Sequence, residues 1–504
     1  MEICRNDPVR IWRPVVSNNS HATVRLAHSA DITQNDLSSG TVVMGKYLRA
    51  SDTPLYIALS FIVIVFLLGG GARHDISSLV FLRPISVVAL TYAALVINRA
   101  QVKEFIILWS LAVITMCMVI LHLVPLPPTV WMSLPNRELS EIVGRTVGIE
   151  QPWRPVSLVP YRTFNLLFSL FIPFAGLALM TKLTSTQQYR VLPALIAMGG
   201  FSAVIGALQL AGPPGGMFYF YKITNEASPV GLFSNRNHQS IFLACCIPLL
   251  TVLACTPNSL SSSKHKLLMS FSILLGMLFI MIILINGSRS GLFLGFLGLM
   301  SVPFLAGHAF PNKSRHFGKV LSLAVVGIAA TLIFLSTWFA RGESLARITD
   351  FESSDELRLM VWPSIFQAAV KYFPVGSGFG TFEEVYKVEE SSALLSLTYL
   401  NHAHNDWLEI FLTGGLPALI FAMTCLMGWG IATGKLFRNV ENASTGIIFG
   451  RLGVIVIFLL GVASIFDYPL RTPSLSLLFT ISAVWVVNGL RCKVQSASLC
   501  REVA

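Results

Sequence analysis

Twelve apolar runs, each close to twenty residues long, recur along this 504-residue chain. A hydrocarbon core about 30 Å thick is crossed by roughly 20 apolar residues in helical form. The runs read as spans at 54–71, 78–97, 105–124, 164–181, 191–210, 240–256, 267–285, 291–307, 320–338, 407–430, 446–466 and 474–490. Pro84 interrupts the second and Gly414-Gly415 the tenth. With 54% hydrophobic and 12% charged residues and a mean hydropathy of +0.68, a soluble globular domain is excluded. The expected fold is an all-α polytopic membrane protein of about twelve transmembrane helices, with one large loop, 339–406, between helices 9 and 10.

Lys and Arg in short loops are held on the cytoplasmic side. Placing both termini inside makes every short inner segment basic: Arg99 and Lys103, Lys182 and Arg190, Lys264 and Lys266, Lys313, Arg315 and Lys319, Lys435 and Arg438, then Arg491, Lys493 and Arg501. The net charge of +11 then faces anionic lipid rather than nucleic acid. Residues 1–53 and 491–504 read as polar cytoplasmic tails flanking a membrane domain over 54–490. The first tail is too polar for a signal peptide, so the helix at 54–71 reads as an uncleaved anchor. None of the eight cysteines falls in the long outer segments, and no CxxC or HExxH spacing occurs, so neither a disulfide framework nor a metal or other cofactor is expected.

The outer side carries the polar groups that invite chemistry. Leu123-Val-Pro-Leu-Pro-Pro-Thr-Val-Trp131 is too proline-rich to continue a helix. With Trp131 and Trp153 it reads as a loop lying on the membrane surface, or as part of a groove for a lipid substrate. Asn235, Arg236, Asn237 and His238 stand at a helix N-terminus, where unpaired N–H groups and the helix dipole favour an anion. Arg236 either presents a planar fork to phosphate or snorkels to the headgroups. Asn286-Gly-Ser-Arg-Ser-Gly291 repeats the pattern, with Arg289 on the same face.

In the large loop, Leu357, Val361, Ile365 and Ala368 lie at helical spacing, which sets Arg358 on a short helix. Pro374-Val-Gly-Ser-Gly-Phe-Gly-Thr381 reads as a flexible turn, and not as a phosphate loop. His404, Leu408 and Phe411 are spaced to share a face, with Asp406 and Glu409 near enough to orient the imidazole and Asn405 beside it. A histidine at the membrane surface can take a proton from a sugar hydroxyl. Asp467 and Arg471 read as a pair between the last two spans, and on that reading Arg471 tolerates Lys or Gln. Arg451 is the basic residue set well inside a span.

Five motifs in this order, Gly231-Leu-Phe-Ser-Asn-Arg-Asn-His238, Ser288-Arg-Ser-Gly291, Arg358-x-x-x-Trp362 followed by a Gly-x-Gly turn, His404-Asn-x-x-Leu-Glu409 leading to a glycine, and Asp467-Tyr-Pro-Leu-Arg-Thr-Pro473, resemble the O-antigen ligase and polymerase family of bacterial envelopes over roughly residues 200–475. The resemblance implies a helical core of the inner membrane with a large periplasmic loop and a periplasmic active site. It implies transfer of a glycan from undecaprenyl diphosphate to a hydroxyl acceptor, either lipid A-core or a second lipid-linked glycan, without metal or nucleotide sugar. By the same resemblance the functional arginines are Arg236 and Arg358, with Arg289 in the SRSG turn, and the catalytic histidine is His404. The position nine residues after that histidine, often acidic in such proteins, is Thr413. A transporter, such as a lipid-oligosaccharide flippase, is the competing class. It would show internal repeats and midplane binding residues, whereas here the polar residues gather at one face.

Overall fold

The computed structural model describes residues 52–149, 151–255, 262–306, 327, 354–392, 395, 399–438 and 444–503. Its membrane helices are α1 (Asp52–Leu68), α2 (Leu79–Val96), α3 (Ile106–Leu121), α4 (Pro160–Lys182), α5 (Ser185–Ala211), α6 (Arg236–Cys255), α7 (Ser262–Ile285) and α8 (Arg289–Ala306). Helices α9 (Ser354–Lys371) and α10 (Phe382–Glu389) precede α11 (Asp406–Phe437), α12 (Thr445–Phe466) and α13 (Pro473–Val494). Among the described residues nine helices are long and apolar enough to cross a membrane, and α1 and α3 are shorter apolar helices. All of the expected span at 320–338 but residue 327, and residues 1–51 of the polar tail, lie outside the described residues. The protein is an all-α polytopic membrane protein, and its one described strand pairing is a two-residue bridge of Pro125–Leu126 with Arg154–Pro155.

Helix α6 is the hub. Its residues from Asn237 to Val252 are buried without interruption, and α5, α7, α8 and α12 pack around it. The most extensive helix pairing is α12 with α13. There Gly450 meets Gly489 and Gly453 meets the Ser482 carbonyl, so the backbones approach as small residues allow when no hydrophobic driving force separates helix from lipid.

Two groups of loops are tied together at opposite ends of these helices. At one end Gln101 Nε2 donates to Lys182 O at 3.1 Å, Lys182 Nζ to Val96 O at 2.6 Å, Arg491 pairs with Glu104 at 2.9 Å, and Lys493 Nζ donates to Arg438 O at 2.6 Å. These are the basic segments that the charge pattern assigned to one face. Arg451 joins this end, its Nε on Leu436 O at 2.9 Å and its guanidinium over Phe437. It is not the single cation within a span: Arg83 on α2 donates to Asn165 O and Ser169 Oγ at 3.2 and 2.9 Å.

At the other end lie segments 122–149, 151–159, 213–235, 372–392, 399–405 and 467–472. Leu158 N–H donates to Ser377 O at 2.9 Å. Arg137, almost wholly buried, donates to Val156 O and Gly376 O at 2.9 and 3.3 Å. Burial drives the Arg137 guanidinium down to about 10, because the nearby Tyr372 and Glu138 offset only part of the desolvation. Trp131 is not interfacial: it is buried, with its indole N–H on Pro155 O at 3.0 Å. Trp153, 64% exposed, remains at the surface.

The glycine turn 374–380 is a docking element rather than a flexible turn. Gly415 breaks α11 with φ +58° and ψ −152°, and Pro417 follows it. The N–H of Leu416, freed by the break, donates to Pro374 O at 2.8 Å, while Thr413 O and Leu412 O accept from Gly378 N and Ser377 N at 2.9 and 3.0 Å. Backbone polar groups inside a membrane helix require such replacement partners. A Cβ on Gly415 would run into the Pro374 carbonyl at a φ that L residues rarely adopt. Gly415→Ala is therefore expected to cost more than about 2 kcal/mol, read as a lowered unfolding temperature in detergent.

Candidate active site

The first wall of the site is the start of α6. Asn225 Oδ1 accepts from Arg236 N–H at 3.0 Å and Asn235 Oδ1 from Asn237 N–H at 2.8 Å, so the helix terminus is capped by two asparagine side chains. The approach to it is set by Gly231, at φ +58°, where a Cβ would strike Ser202 and Gln239. The Asn286–Arg289 turn rests on this terminus: Asn286 Nδ2 donates to Arg236 O at 2.7 Å and to Ser240 Oγ at 2.9 Å. The residues Arg236 and Arg289 thus come from two joined segments. Among the described residues neither guanidinium makes an ion pair; Arg236 is half-buried and Arg289 exposed.

The second wall is the segment before α11. His404 does not lie on the helix with Leu408 and Phe411. It precedes the N-cap in a left-handed conformation, φ +49°, and Asn405 caps α11 by accepting from Leu408 N–H at 3.1 Å. This conformation turns the imidazole away from the α9–α11 cluster that holds Leu408 and Phe411 and toward the loop between α12 and α13.

That loop supplies the carboxylate. Asp467 Oδ1 stands 3.2 Å from His404 Nδ1 and accepts from Tyr468 N–H at 3.0 Å. Its Oδ2 accepts from Asn237 Nδ2 at 2.7 Å. Asp467 is therefore not paired with Arg471, and neither Asp406 nor Glu409 orients His404. Burial alone would raise the Asp467 carboxyl, but the two imidazoles beside it, His238 and His404, outweigh that and hold it well below the usual carboxylate range. Because the folded value is depressed, its contribution to stability is complete above the unfolded aspartate value of about 3.9 and fades only as pH falls through the lower folded value. Asp467→Asn should accordingly lower the unfolding temperature at pH 7, with the gap closing only in strong acid.

Arg471 takes the two carboxylates assigned by sequence to the histidine. Its Nε meets Asp406 Oδ1 at 3.2 Å and its Nη2 meets Glu409 Oε1 at 3.1 Å. Burial lowers the proton affinity of this guanidinium, yet Glu409 and Asp406 overcome that and raise it. Ser464 Oγ donates to Asp406 Oδ2 at 3.0 Å. Glu409 also accepts from Ala403 N–H at 3.0 Å and faces His402 Nδ1 at 3.1 Å. The Tyr468 ring lies against three imidazoles, His238, His402 and His404, with centroids 5.1, 4.4 and 4.8 Å away.

Arg358 sits on α9, and its side chain lies outside the described residues. Of the face expected of that helix, Val361, Ile365 and Ala368 are buried with Tyr372 and Phe382, and the side chain of Leu357 lies outside the described residues. Thr413, at the position often acidic in similar proteins, is buried and donates from Oγ1 to Glu409 O at 2.7 Å. Among the described residues no group of His, Cys, Asp and Glu side chains is arranged to hold a metal ion. The residue most underrated by sequence reasoning is Asp467. The available signal was that it is the sole acidic residue between α12 and α13, at the end where His404 lies.

The arrangement offers a buried His–Asp pair bonded to a capped helix terminus that carries an arginine. Such a pair fixes the imidazole tautomer and stabilises the imidazolium formed when a proton is taken. Residues 273–423 match the family model of the O-antigen ligase, which agrees with the resemblance read from the motifs. The match takes in Arg289, Arg358 and His404, whereas Arg236 and Asp467 lie outside it. No curated protein matches the chain.

Proposed function

We propose that this protein transfers a glycan from undecaprenyl diphosphate to a sugar hydroxyl at the periplasmic face of a bacterial inner membrane. The observation that carries the reading is the continuous chain of contacts from His404 through Asp467 to Asn237, the residue beside Arg236. It joins a base to an anion-favouring terminus, as a displacement at a lipid-linked diphosphate requires. The periplasmic assignment rests on the basic loops gathered at the opposite end of the helices.

The acceptor hydroxyl oxygen attacks the anomeric carbon as its proton passes to His404 Nε2. The bond from that carbon to the diphosphate oxygen breaks, and undecaprenyl diphosphate leaves with the electron pair. One displacement inverts the sugar. The leaving group gains charge as the bond lengthens, and Arg236 and Arg358, with Arg289 at the rim, neutralise it at a low-dielectric surface. The acceptor is lipid A-core in a ligase and a second lipid-linked glycan in a polymerase.

Arg236→Ala and Arg358→Ala are each expected to lower transfer about 10²-fold or more at matched membrane abundance, in cells lacking the native gene. Lipid-linked glycan should accumulate, while Arg→Lys recovers part of the activity because it restores charge without the fork. Full-length glycan made at the wild-type rate by both alanine variants would overturn the assignment. Because the charge is met by guanidinium groups, transfer by the purified protein should persist in excess EDTA, and loss of activity restored by a divalent cation would contradict it.

A further inference from the structure

Asp467 lies between two imidazoles, and the second has no part in the displacement. His238, one residue beyond Asn237 on α6, is fully buried. Its Nδ1 and the Thr472 hydroxyl are 2.9 Å apart. Its Nε2 stands 3.8 Å from Asp467 Oδ1, beyond hydrogen-bond reach, and makes no hydrogen bond. A lone pair aimed at a carboxylate would be repelled, so the hydrogen belongs on Nε2 and the Thr472 hydroxyl donates to Nδ1. The Nε2–H then points at the oxygen that also faces His404 Nδ1 and accepts from Tyr468 N–H.

We propose that His238 is a positioning residue for the His404 base, acting through Asp467 by sharing the charge of that carboxylate. The inference rests on the proposed role of His404. A buried histidine bonded to an aspartate that no other group approached would hold its proton tightly and make a poor base at neutral pH. Here the carboxylate is spread over Asn237 Nδ2, Tyr468 N–H and the His238 Nε2–H dipole as well as His404. Among the described residues the other charged groups near the cluster are paired with one another: Arg471 with Asp406 and Glu409, and Glu409 with His402 across the Tyr468 ring. They do not compete for Asp467.

The test is the proton affinity of His404 itself. Diethyl pyrocarbonate attacks only unprotonated imidazole, and its rate at His404, followed by mass spectrometry on the full-length protein in detergent, gives a titration midpoint without any glycan present. His238→Asn removes the Nε2–H and should raise that midpoint by about half a pH unit or more, lower transfer at pH 7, and recover it toward pH 8.5 with KM unchanged. His238→Gln, which keeps an N–H at similar reach, should remain near wild type. Asn237→Leu withdraws the donor from Oδ2 and should move the midpoint in the same direction, which keeps the inference testable if His238→Asn does not fold. An unmoved midpoint in a folded His238→Asn or Asn237→Leu protein overturns it. A moved midpoint in a protein that transfers no glycan sustains the His238 coupling and removes only the reading of function.

Discussion

Arg471→Gln should leave little folded protein. Asp406 and Glu409 are both buried, and one guanidinium bridges them with two different nitrogens. Removing it leaves Asp406 without a cation and Glu409 with only His402 and the Ala403 N–H in a dry site, which costs about 3–5 kcal/mol, a large share of the 5–15 kcal/mol of a typical domain. Arg471→Lys should be intermediate, since an ammonium is a point charge that cannot reach both partners as the fork does. The measurement is the unfolding temperature and the monodisperse yield in detergent. Combining Arg471→Gln with Asp406→Asn and Glu409→Gln should restore much of the loss, because no buried charge is then left alone. A wild-type melting profile for Arg471→Gln would contradict the account and return Arg471 to a tolerant surface pair.

His404→Asn should abolish transfer while leaving the fold intact. The substitution is chosen for the backbone: His404 sits at φ +49°, a region that asparagine visits readily and alanine does not. Loss of a general base lowers the rate by about 10² to 10⁴. Asp467→Asn should approach that loss, because an amide on Nδ1 no longer stabilises the imidazolium and does not hold the tautomer. Both effects are read as glycan formed per unit of protein in membranes, with lipid-linked glycan measured in parallel. Wild-type turnover in His404→Asn would remove the base from the mechanism.

The membrane architecture was legible in the sequence because each span announces itself locally. Eleven of the twelve apolar runs coincide with apolar helices, and the one at 320–338 lies, but for residue 327, outside the described residues. The gathering of Arg236, Arg289 and His404 toward one end followed from the same arithmetic, since successive spans alternate in direction. What was not legible is pairing across long separations. His404 is drawn to Asp467, 63 residues away, rather than to Asp406, two residues away, because a single left-handed residue turns the chain before α11 begins. Arg471 reaches past Asp467 to α11 for a similar reason: the 3-10 turn Pro469–Arg471 swings it away from its own segment. The glycines of 376–380 looked like freedom, yet three positive-φ glycines let the backbone press against a broken helix. No periodicity rule reports where such a turn will dock.

The most direct test of the central claim uses the purified protein in vesicles with an undecaprenyl-diphosphate-linked glycan and a lipid acceptor on the same leaflet. The products to quantify are glycosylated acceptor and free undecaprenyl diphosphate. The account predicts that the two appear in equal amounts, with inverted configuration at the new linkage, and that His404→Asn yields neither. Movement of intact lipid-linked glycan across the bilayer, with no bond broken and no dependence on His404, would identify a transporter and contradict the transferase reading.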